Sequence, residues 1–229
     1  IFIFLLAIIV RFHGLNEMGR AWDEFEYIEQ GYQMDELLVK GDFANPFFYT
    51  TYDHPPFAKY VYGIPAHLDL KGFSENGTAV FNYDYTYSRL LSLLIASLAV
   101  VIVLILAWEY ASPFVGLVSG IIFATLPFYI GLSQLVSTES LLMFLFTLAV
   151  YVYIKLIEKF SIKKIILVGI ITGVALETKQ SNALLFPTLL SFYLLWYFFE
   201  KKRKIKLFGK YFFALIAVGI VSLIVFVAL

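Results

Sequence analysis

Long apolar runs fill most of the chain after residue 87, and they constrain its fold more than any other feature. Hydrophobic residues make up 61% of the chain and charged residues 15%, and the mean hydropathy of +0.82 lies outside the range of ordinary soluble domains. Only α-helices and closed β-barrels satisfy every backbone group in lipid, and these runs are continuous rather than alternating, so we predict helices. The predicted spans are the end of one at 1–12, and then 88–107, 114–131, 140–157, 164–178, 183–199 and 211–229.

The distribution of basic residues predicts how these spans are oriented. Four Lys lie in 155–164 and six Lys or Arg lie in 200–210, whereas 132–139 has none and 177–182 has only Lys179. Short basic connections stay on the cytoplasmic side, so the two basic connections are expected inside and the other two outside. Counting back along the spans, we expect the long polar segment 13–87, the outer loop, to be extracytoplasmic.

The outer loop is predicted to hold two helices that lie in the membrane interface. Residues 23–39 and 56–70 have apolar residues at helical spacing among polar ones, and a turn is expected at Gly72 to Gly77. The predicted fold class is therefore all-α, a polytopic transmembrane bundle of about seven spans with an outer loop. We expect one transmembrane domain over 1–229, with spans in 88–229. Because both ends fall inside apolar runs, we expect a piece of a longer protein.

Two carboxylates lie a few residues after the end of the first predicted span. They lie in Trp22-Asp23-Glu24, and adjacent residues on a helix point about 100° apart, so the two need not share a task. One can face a cavity while the other contacts a packing partner. The structural alternative is that either residue only caps the helix that begins there, because acidic residues favour helix N-termini.

A second polar motif, Asp53-His54-Pro55-Pro56, opens the second predicted interfacial helix. The two prolines fix the chain and hold the preceding residues extended. His54 could relay a proton, bind a metal or contact a phosphate, and the alternative is a plain helix start capped by Asp53. Asp23, His54 and Glu139 could together hold a divalent ion, although their spacing does not demand one.

Several further charged residues are expected on the outer face. Arg11 and Arg89 lie at the ends of the first and second spans, where the default for a lone cation is to reach the interface with its side chain. A pocket of carboxylates and cations at headgroup level fits an anionic, lipid-linked substrate. The residues that map to this face are Asp23, Glu24, His54, Lys59, Arg89, Glu139 and Lys179.

The ordered set of motifs resembles the GT-C glycosyltransferases. The nearest branch is the protein O-mannosyltransferase family and its prokaryotic relatives, including the aminoarabinose transferases. The segments that carry the resemblance are Arg11-Phe12-His13-Gly14-Leu15, Trp22-Asp23-Glu24 with Tyr27, His54-Pro55-Pro56-Phe57-Ala58-Lys59, Arg89-Leu90-Leu91-Ser92, Thr138-Glu139-Ser140 and Thr178-Lys179. Glu139 stands where relatives more often have Asp.

The resemblance implies transfer of a sugar, most readily a mannose-like hexose, from a polyprenyl-phosphate donor to a protein hydroxyl or a lipid or glycan acceptor, with inversion. It implies that Asp23 is the catalytic base and that Glu24 positions it or pairs with Arg89. It implies that His54, Arg89 and Lys179 hold the donor phosphate. Other implied substrate-binding residues are Arg11, Tyr27, Lys59 and Glu139.

The expected partners are the bilayer, the lipid-linked donor and the acceptor, with no nucleic acid. No cofactor is expected beyond a possible divalent metal, and a prokaryotic plasma membrane is the expected location. Two other functions stay open. A transporter or flippase of lipid-linked sugars would carry its ionisable residues nearer the bilayer midplane. A non-catalytic relative could bind such lipids without turning them over.

Overall fold

The computed structural model of the chain describes residues 1–50, 55–82, 84–199 and 205–228. These residues form two compact units, Ile1–Phe144 and Leu145–Leu229. Helices dominate both units, and the predicted all-α membrane fold is confirmed. The prediction of a single domain over 1–229 is not tested by this division and stays a prediction.

Outside the outer loop, the helices that lie wholly in the first unit form three apolar stretches. Helix α1 is short, α5 is long, and α6 and α7 are separated by one residue. Their bounds are α1 Phe2–Phe12, α5 Thr86–Tyr110, α6 Pro113–Thr125 and α7 Pro127–Ser133, and α8 Thr138–Glu158 runs from this unit into the second. The second unit continues with α9 Ile162–Thr178, a 3-10 turn Gln180–Leu184, α10 Leu185–Phe199 and α11 Ile205–Ala228.

Fewer helices can span a membrane than the hydropathy pattern predicts. Within the described ranges four helical segments are long and apolar enough, and the α6–α7 pair makes a fifth if its two parts count as one span. The four are Thr86–Tyr110, Thr138–Glu158, Gln180–Phe199 and Gly209–Ala228. The predicted count of seven is therefore not confirmed.

Pro127 breaks the predicted span 114–131 into two helices. Helix α6 begins as the sequence suggests, because the Ser112 side chain accepts a hydrogen bond from the Val115 amide at 3.2 Å and Pro113 takes the first helical position. It ends at Thr125, and α7 leaves at an angle of 58°. Proline has no N–H and its ring collides with the preceding turn, so the helix ends and restarts with Pro127 in its first turn.

The outer loop contains the two predicted helices and two elements that the sequence did not indicate. The first predicted helix starts with a π-helical segment, Glu26–Gln30, and continues as α2, Gly31–Lys40. A short helix that was not predicted, α3, Phe47–Thr50, precedes α4, Phe57–Asp69, which matches the predicted 56–70 closely. The other unexpected element is an antiparallel hairpin of β1, Leu70–Phe73, and β2, Ala79–Phe81, on either side of the predicted turn.

Two glycines let the helices α2 and α4 touch through their backbones. A Cβ atom added to Gly31 would collide with the carbonyl oxygen of Lys59 and would lie 2.9 Å from the Cα of Gly63. Close contact brings aromatic and aliphatic side chains from both helices into one core. Its buried members are Tyr27, Ile28, Tyr32, Ala58, Tyr62, Ala66, Phe81, Tyr85, Val136 and Leu141.

Hydrogen bonds to Asp69 connect the end of α4 in the outer loop with the start of α5. Its buried carboxylate accepts hydrogen bonds from the amides of Tyr87 at 3.0 Å and Ser88 at 2.9 Å, and from the Ser88 hydroxyl at 2.7 Å. The first amides of a helix have no partner within the helix, so this carboxylate satisfies two of them and complements the helix dipole.

Replacing Gly31 by Ala should destabilise the outer loop, because the added methyl group meets backbone that cannot move aside. We expect a loss of about 1–3 kcal/mol in the free energy of unfolding, measured by thermal denaturation with intrinsic fluorescence. Gly131→Ala is the matched control, since nothing lies within 4 Å of a Cβ at that helical glycine. Equal stability of the two variants would contradict the close contact.

Candidate active site

A buried ion pair between Glu24 and Arg89 is the central interaction of the candidate site. The Arg89 Nε donates to Glu24 Oε1 at 2.8 Å and its Nη2 donates to Glu24 Oε2 at 2.7 Å. The Glu24 side chain is 0% exposed and the Arg89 side chain is 1% exposed, so solvent does not weaken the pair. The two parallel bonds are the bidentate geometry that a guanidinium and a carboxylate form best. Pairing with Arg89 is one of the two options that the sequence left open for Glu24.

The other donors of Arg89 hold the chain that follows α1. Its Nη1 donates to the carbonyl oxygens of Leu15 at 3.2 Å and Met18 at 3.1 Å, and its Nη2 also donates to Gly19 at 3.1 Å. These bonds occupy all five N–H groups of the guanidinium. A donor phosphate could bind Arg89 only if one of them opened, and the predicted phosphate role of Arg89 stays a prediction.

Glu24 also accepts backbone hydrogen bonds from two different segments. The amide of Ala21 donates to its Oε2 at 2.9 Å, and the amide of Val136 donates to its Oε1 at 3.0 Å. Val136 belongs to the short connection between α7 and α8 that leads to Glu139. One carboxylate thus joins the beginning of the outer loop, α5 and this connection.

The neighbouring carboxylate of Asp23 has the opposite environment. Asp23 is exposed, and no residue in the described ranges donates a hydrogen bond to its side chain. The adjacent Trp22 is 81% exposed. The two neighbouring carboxylates therefore differ, one being structural and the other accessible, which the sequence pattern allows.

Two of the predicted acidic site residues influence the pKa of Tyr27. Burial raises the pKa of its hydroxyl, a hydrogen bond with Thr138 acts in the opposite direction, and the negative charges of Asp23 and Glu139 raise the pKa further. Asp23 and Glu139, which are 116 residues apart in sequence, thus both influence the charge state of this hydroxyl. The predicted convergence of the charged residues on one face stays a prediction.

Arg11 is buried at the break between α6 and α7. Its Nη1 donates to the carbonyl oxygens of Ala7 at 3.1 Å and Ala124 at 2.9 Å, and its guanidinium lies 5.1 Å from the centre of the Tyr129 ring. The Ala124 carbonyl is one of those left without a helical partner where α6 ends. Nε and Nη2 of Arg11, and the Tyr129 hydroxyl, have no hydrogen-bond partner among the described residues.

Three predicted site residues remain, Lys59, Lys179 and His54. Lys59 is fully buried on α4. Lys179 follows α9 in the second unit, so its place relative to Asp23 stays a prediction. His54 lies outside the described residues. No three His, Asp or Glu side chains in the described ranges form a group that could hold a metal, and with His54 outside them the metal stays a prediction.

A second polar cluster beside the ion pair has no clear signal in the sequence. Glu29 accepts hydrogen bonds from Arg20 at 2.9 Å and from the Tyr85 hydroxyl at 3.0 Å, and Arg20 also contacts that hydroxyl. Tyr85 has a φ of 44°, and within the described ranges it is the only non-glycine residue with a positive φ. Such strain persists only where neighbouring contacts enforce it. The position of Tyr85 four residues before Arg89 is the only hint that the sequence offers.

Replacing Glu24 by Gln should strongly destabilise the protein. The neutral amide keeps the shape but leaves the guanidinium of Arg89 as a buried, uncompensated charge, so we expect a loss of about 3–5 kcal/mol in unfolding free energy. Thermal denaturation measures it, and Asp23→Asn serves as the matched control because Asp23 is exposed. A similar small effect in both variants would show that the ion pair does not support the fold.

Comparison with known proteins identifies the family of the chain. The family model described as dolichyl-phosphate-mannose-protein mannosyltransferase matches residues 53–226, which is more than half of the 229-residue chain. No curated protein and no solved structure matches the chain. The matched range begins after Asp23 and Glu24, so the case for these two residues rests on the geometry and on the motif resemblance. The chain belongs to the dolichyl-phosphate-mannose-protein mannosyltransferase family and is an integral membrane glycosyltransferase of the mannosyltransferase type.

Proposed function

We propose that the protein transfers a mannose-like hexose from a polyprenyl-phosphate donor to an extracytoplasmic acceptor, with Asp23 as the catalytic base. The observation that supports this best is the contrast between two adjacent carboxylates. Glu24 is buried and fully engaged, whereas Asp23 is exposed and its side chain accepts no hydrogen bond from a described residue. A general base must be reachable and free to accept a proton.

The reaction is a single displacement at the anomeric carbon. Asp23 takes the proton of the acceptor hydroxyl, whose oxygen attacks the anomeric carbon on the face opposite the phosphate. The bond between that carbon and the phosphate oxygen breaks, and its electron pair leaves with the polyprenyl phosphate. The leaving group is already a phosphate, so no general acid is needed, but positive charge must stabilise the phosphate as it departs.

Glu24 and Arg89 act in this proposal as positioning residues. Their ion pair holds the segment from Leu15 to Glu24 against α5, and Asp23 directly precedes Glu24 on that segment. A base that is held by its backbone needs little reorganisation when the acceptor arrives, which lowers the entropic part of the barrier.

The donor phosphate is expected at headgroup depth, because its prenyl tail stays in the lipid. His54, Arg89 and Lys179 are proposed phosphate ligands on the motif resemblance, and Arg89 would first have to release one of its present hydrogen bonds. Arg11 joins them on a structural observation, since two of its guanidinium nitrogens have no partner among the described residues and the Tyr129 hydroxyl beside it has none either. A phosphate would satisfy both Arg11 nitrogens with charge-assisted hydrogen bonds.

A transporter or flippase is the less favoured function. Its ionisable residues should lie in the middle of broken or paired helices near the bilayer midplane. Here Arg11 is in the last turn of α1 and Arg89 is in the first turn of α5. Membership of a mannosyltransferase family also favours an enzyme, and an accessible Asp23 counts against a non-catalytic relative.

Replacing Asp23 by Asn should abolish sugar transfer while leaving the fold intact, because the amide cannot accept the acceptor proton. The test restores a deletion strain with either the unchanged protein or the variant and compares glycoconjugates by mass spectrometry. We expect the Asp23→Asn strain to match the deletion strain, with an equal amount of protein in the membrane. Restored glycoconjugates would remove Asp23 from the role of base.

Replacing Arg11 by Lys should weaken donor binding about tenfold, because it removes the guanidinium fork that can bind phosphate with two bonds. Binding of a synthetic polyprenyl-phosphate mannose to the protein in nanodiscs measures the dissociation constant. Arg20→Lys is the matched control, since Arg20 is partly exposed and pairs with Glu29. If both variants bind the donor like the unchanged protein, Arg11 has only a structural role.

A further inference from the structure

The turn of the outer-loop hairpin carries a motif that the proposed reaction does not use, Asn76-Gly77-Thr78. Asn followed two residues later by Ser or Thr, with any residue but Pro between them, is the acceptor sequence for N-glycosylation. The other Asn residues of the chain lack this pattern, so the motif occurs once in the sequence. Asn-Gly is also a common turn dipeptide, and the structure has to distinguish the two roles.

Backbone hydrogen bonds build the turn without help from the Asn76 side chain. The Ser74 amide donates to the Thr78 carbonyl oxygen at 2.8 Å, and the Gly77 amide donates to the Ser74 carbonyl oxygen at 2.9 Å. Gly77 has a φ of 77°, the left-handed conformation that closes a three-residue hairpin loop. The turn therefore requires Gly77, whereas its geometry does not require an amide side chain at Asn76.

The polar groups of the motif are open to solvent. Asn76 and Thr78 are both exposed, and within the described ranges neither the Asn76 amide nor the Thr78 hydroxyl makes a hydrogen bond. Nothing lies within 4 Å of a Cβ atom added to Gly77. A modifying enzyme can thus reach both side chains while the hairpin stays folded, as is usual for functional groups on surface turns.

The hairpin presents this turn from an ordered base. The Asn82 amide, just after β2, donates to the Asp69 carbonyl oxygen at 2.8 Å, and the Asp69 carboxylate accepts the amides of Tyr87 and Ser88. The distribution of basic residues predicts that the outer loop is extracytoplasmic. N-glycosylation modifies exposed loops on that side of the membrane, so the motif has the surroundings that the modification needs.

We infer that Asn76 is an N-glycosylation site, modified by a separate transferase of the same membrane. The co-substrate is a sugar or oligosaccharide that is linked to a polyprenyl lipid through phosphate. The side-chain nitrogen of Asn76 attacks the anomeric carbon, and the bond from that carbon to the phosphate oxygen breaks. The electron pair leaves with the lipid phosphate, and the nitrogen gives one proton to a base of the transferase.

The inference goes beyond the proposed mannose transfer and does not depend on Asp23. It depends instead on the predicted orientation of the outer loop. Each of these statements can fail separately, and the experiment has to distinguish them.

The test is mass spectrometry of the complete protein, purified from the membranes of its own host and digested into peptides. We expect a glycan on the peptide that contains Asn76, and fragmentation should locate it on the Asn76 side chain. Asn76→Gln and Thr78→Ala should each remove it completely, whereas Thr78→Ser should keep it because the hydroxyl remains. Asn82→Gln is the matched control, since Asn82 is an exposed Asn of the same hairpin outside the motif.

A single cysteine reports the side of the membrane on which the hairpin lies. The chain has no Cys, so Lys71→Cys introduces a unique thiol at an exposed position of β1. A membrane-impermeant maleimide should label this thiol on intact cells. Labelling only after the cells are permeabilised would place the outer loop in the cytoplasm and would overturn both the orientation and the inference.

Two results would overturn the inference while the orientation stands. One is an unmodified Asn76 in a protein whose hairpin is labelled from outside. The other is a glycan attached to Ser74 or Thr78 through oxygen, with Asn76 itself unmodified. A glycosylated Asn76 in a protein that fails to restore glycoconjugates to the deletion strain would instead contradict only the proposed transferase activity.

Discussion

The arrangement of the outer loop depends on the ion pair between Glu24 and Arg89. Removing two charges from water is costly, and the mutual attraction of the pair compensates only when every remaining donor and acceptor is also satisfied. Here the guanidinium has protein partners for all its N–H groups, and the carboxylate accepts two backbone amides in addition. Such a pair tolerates little rearrangement, and the chain segments that supply its partners are held in one geometry.

Both ends of the outer loop bind to the first turn of α5. Glu24, near the beginning of the loop, binds Arg89, and Asp69, at the end of α4, binds the amides of Tyr87 and Ser88. Three consecutive residues of one apolar helix thus anchor a segment of more than 60 residues. Between these anchors the glycine contact of α2 and α4 keeps the two loop helices in register. The proposed base is adjacent to one of the anchors.

Hydropathy predicted the class of fold and the position of most helices, because burial in lipid leaves a strong compositional signal. Its count of seven spans is not confirmed, and it missed the break at Pro127, since composition does not reveal where a helix ends and turns. The hairpin escaped prediction because strands of four and three residues are too short for a periodic pattern. At the site, the sequence pattern allowed Asp23 and Glu24 different tasks, and only the motif resemblance suggested which residue pairs with Arg89. That distinction depends on Arg89 and Val136, which are distant in sequence.

The π-helical segment Glu26–Gln30 sets a strict spacing between the two carboxylates and the glycine contact. A π turn holds one residue more than an α turn and shifts every later side chain around the helix axis. Loss of a single residue there would restore a plain α-helix and rotate Gly31 by about 100° relative to Glu24. Glu24 could then keep its place against Arg89, or Gly31 could keep its place against Gly63, but not both. Proteins that share this loop should therefore tolerate changes of residue type between 25 and 30 far better than changes of length.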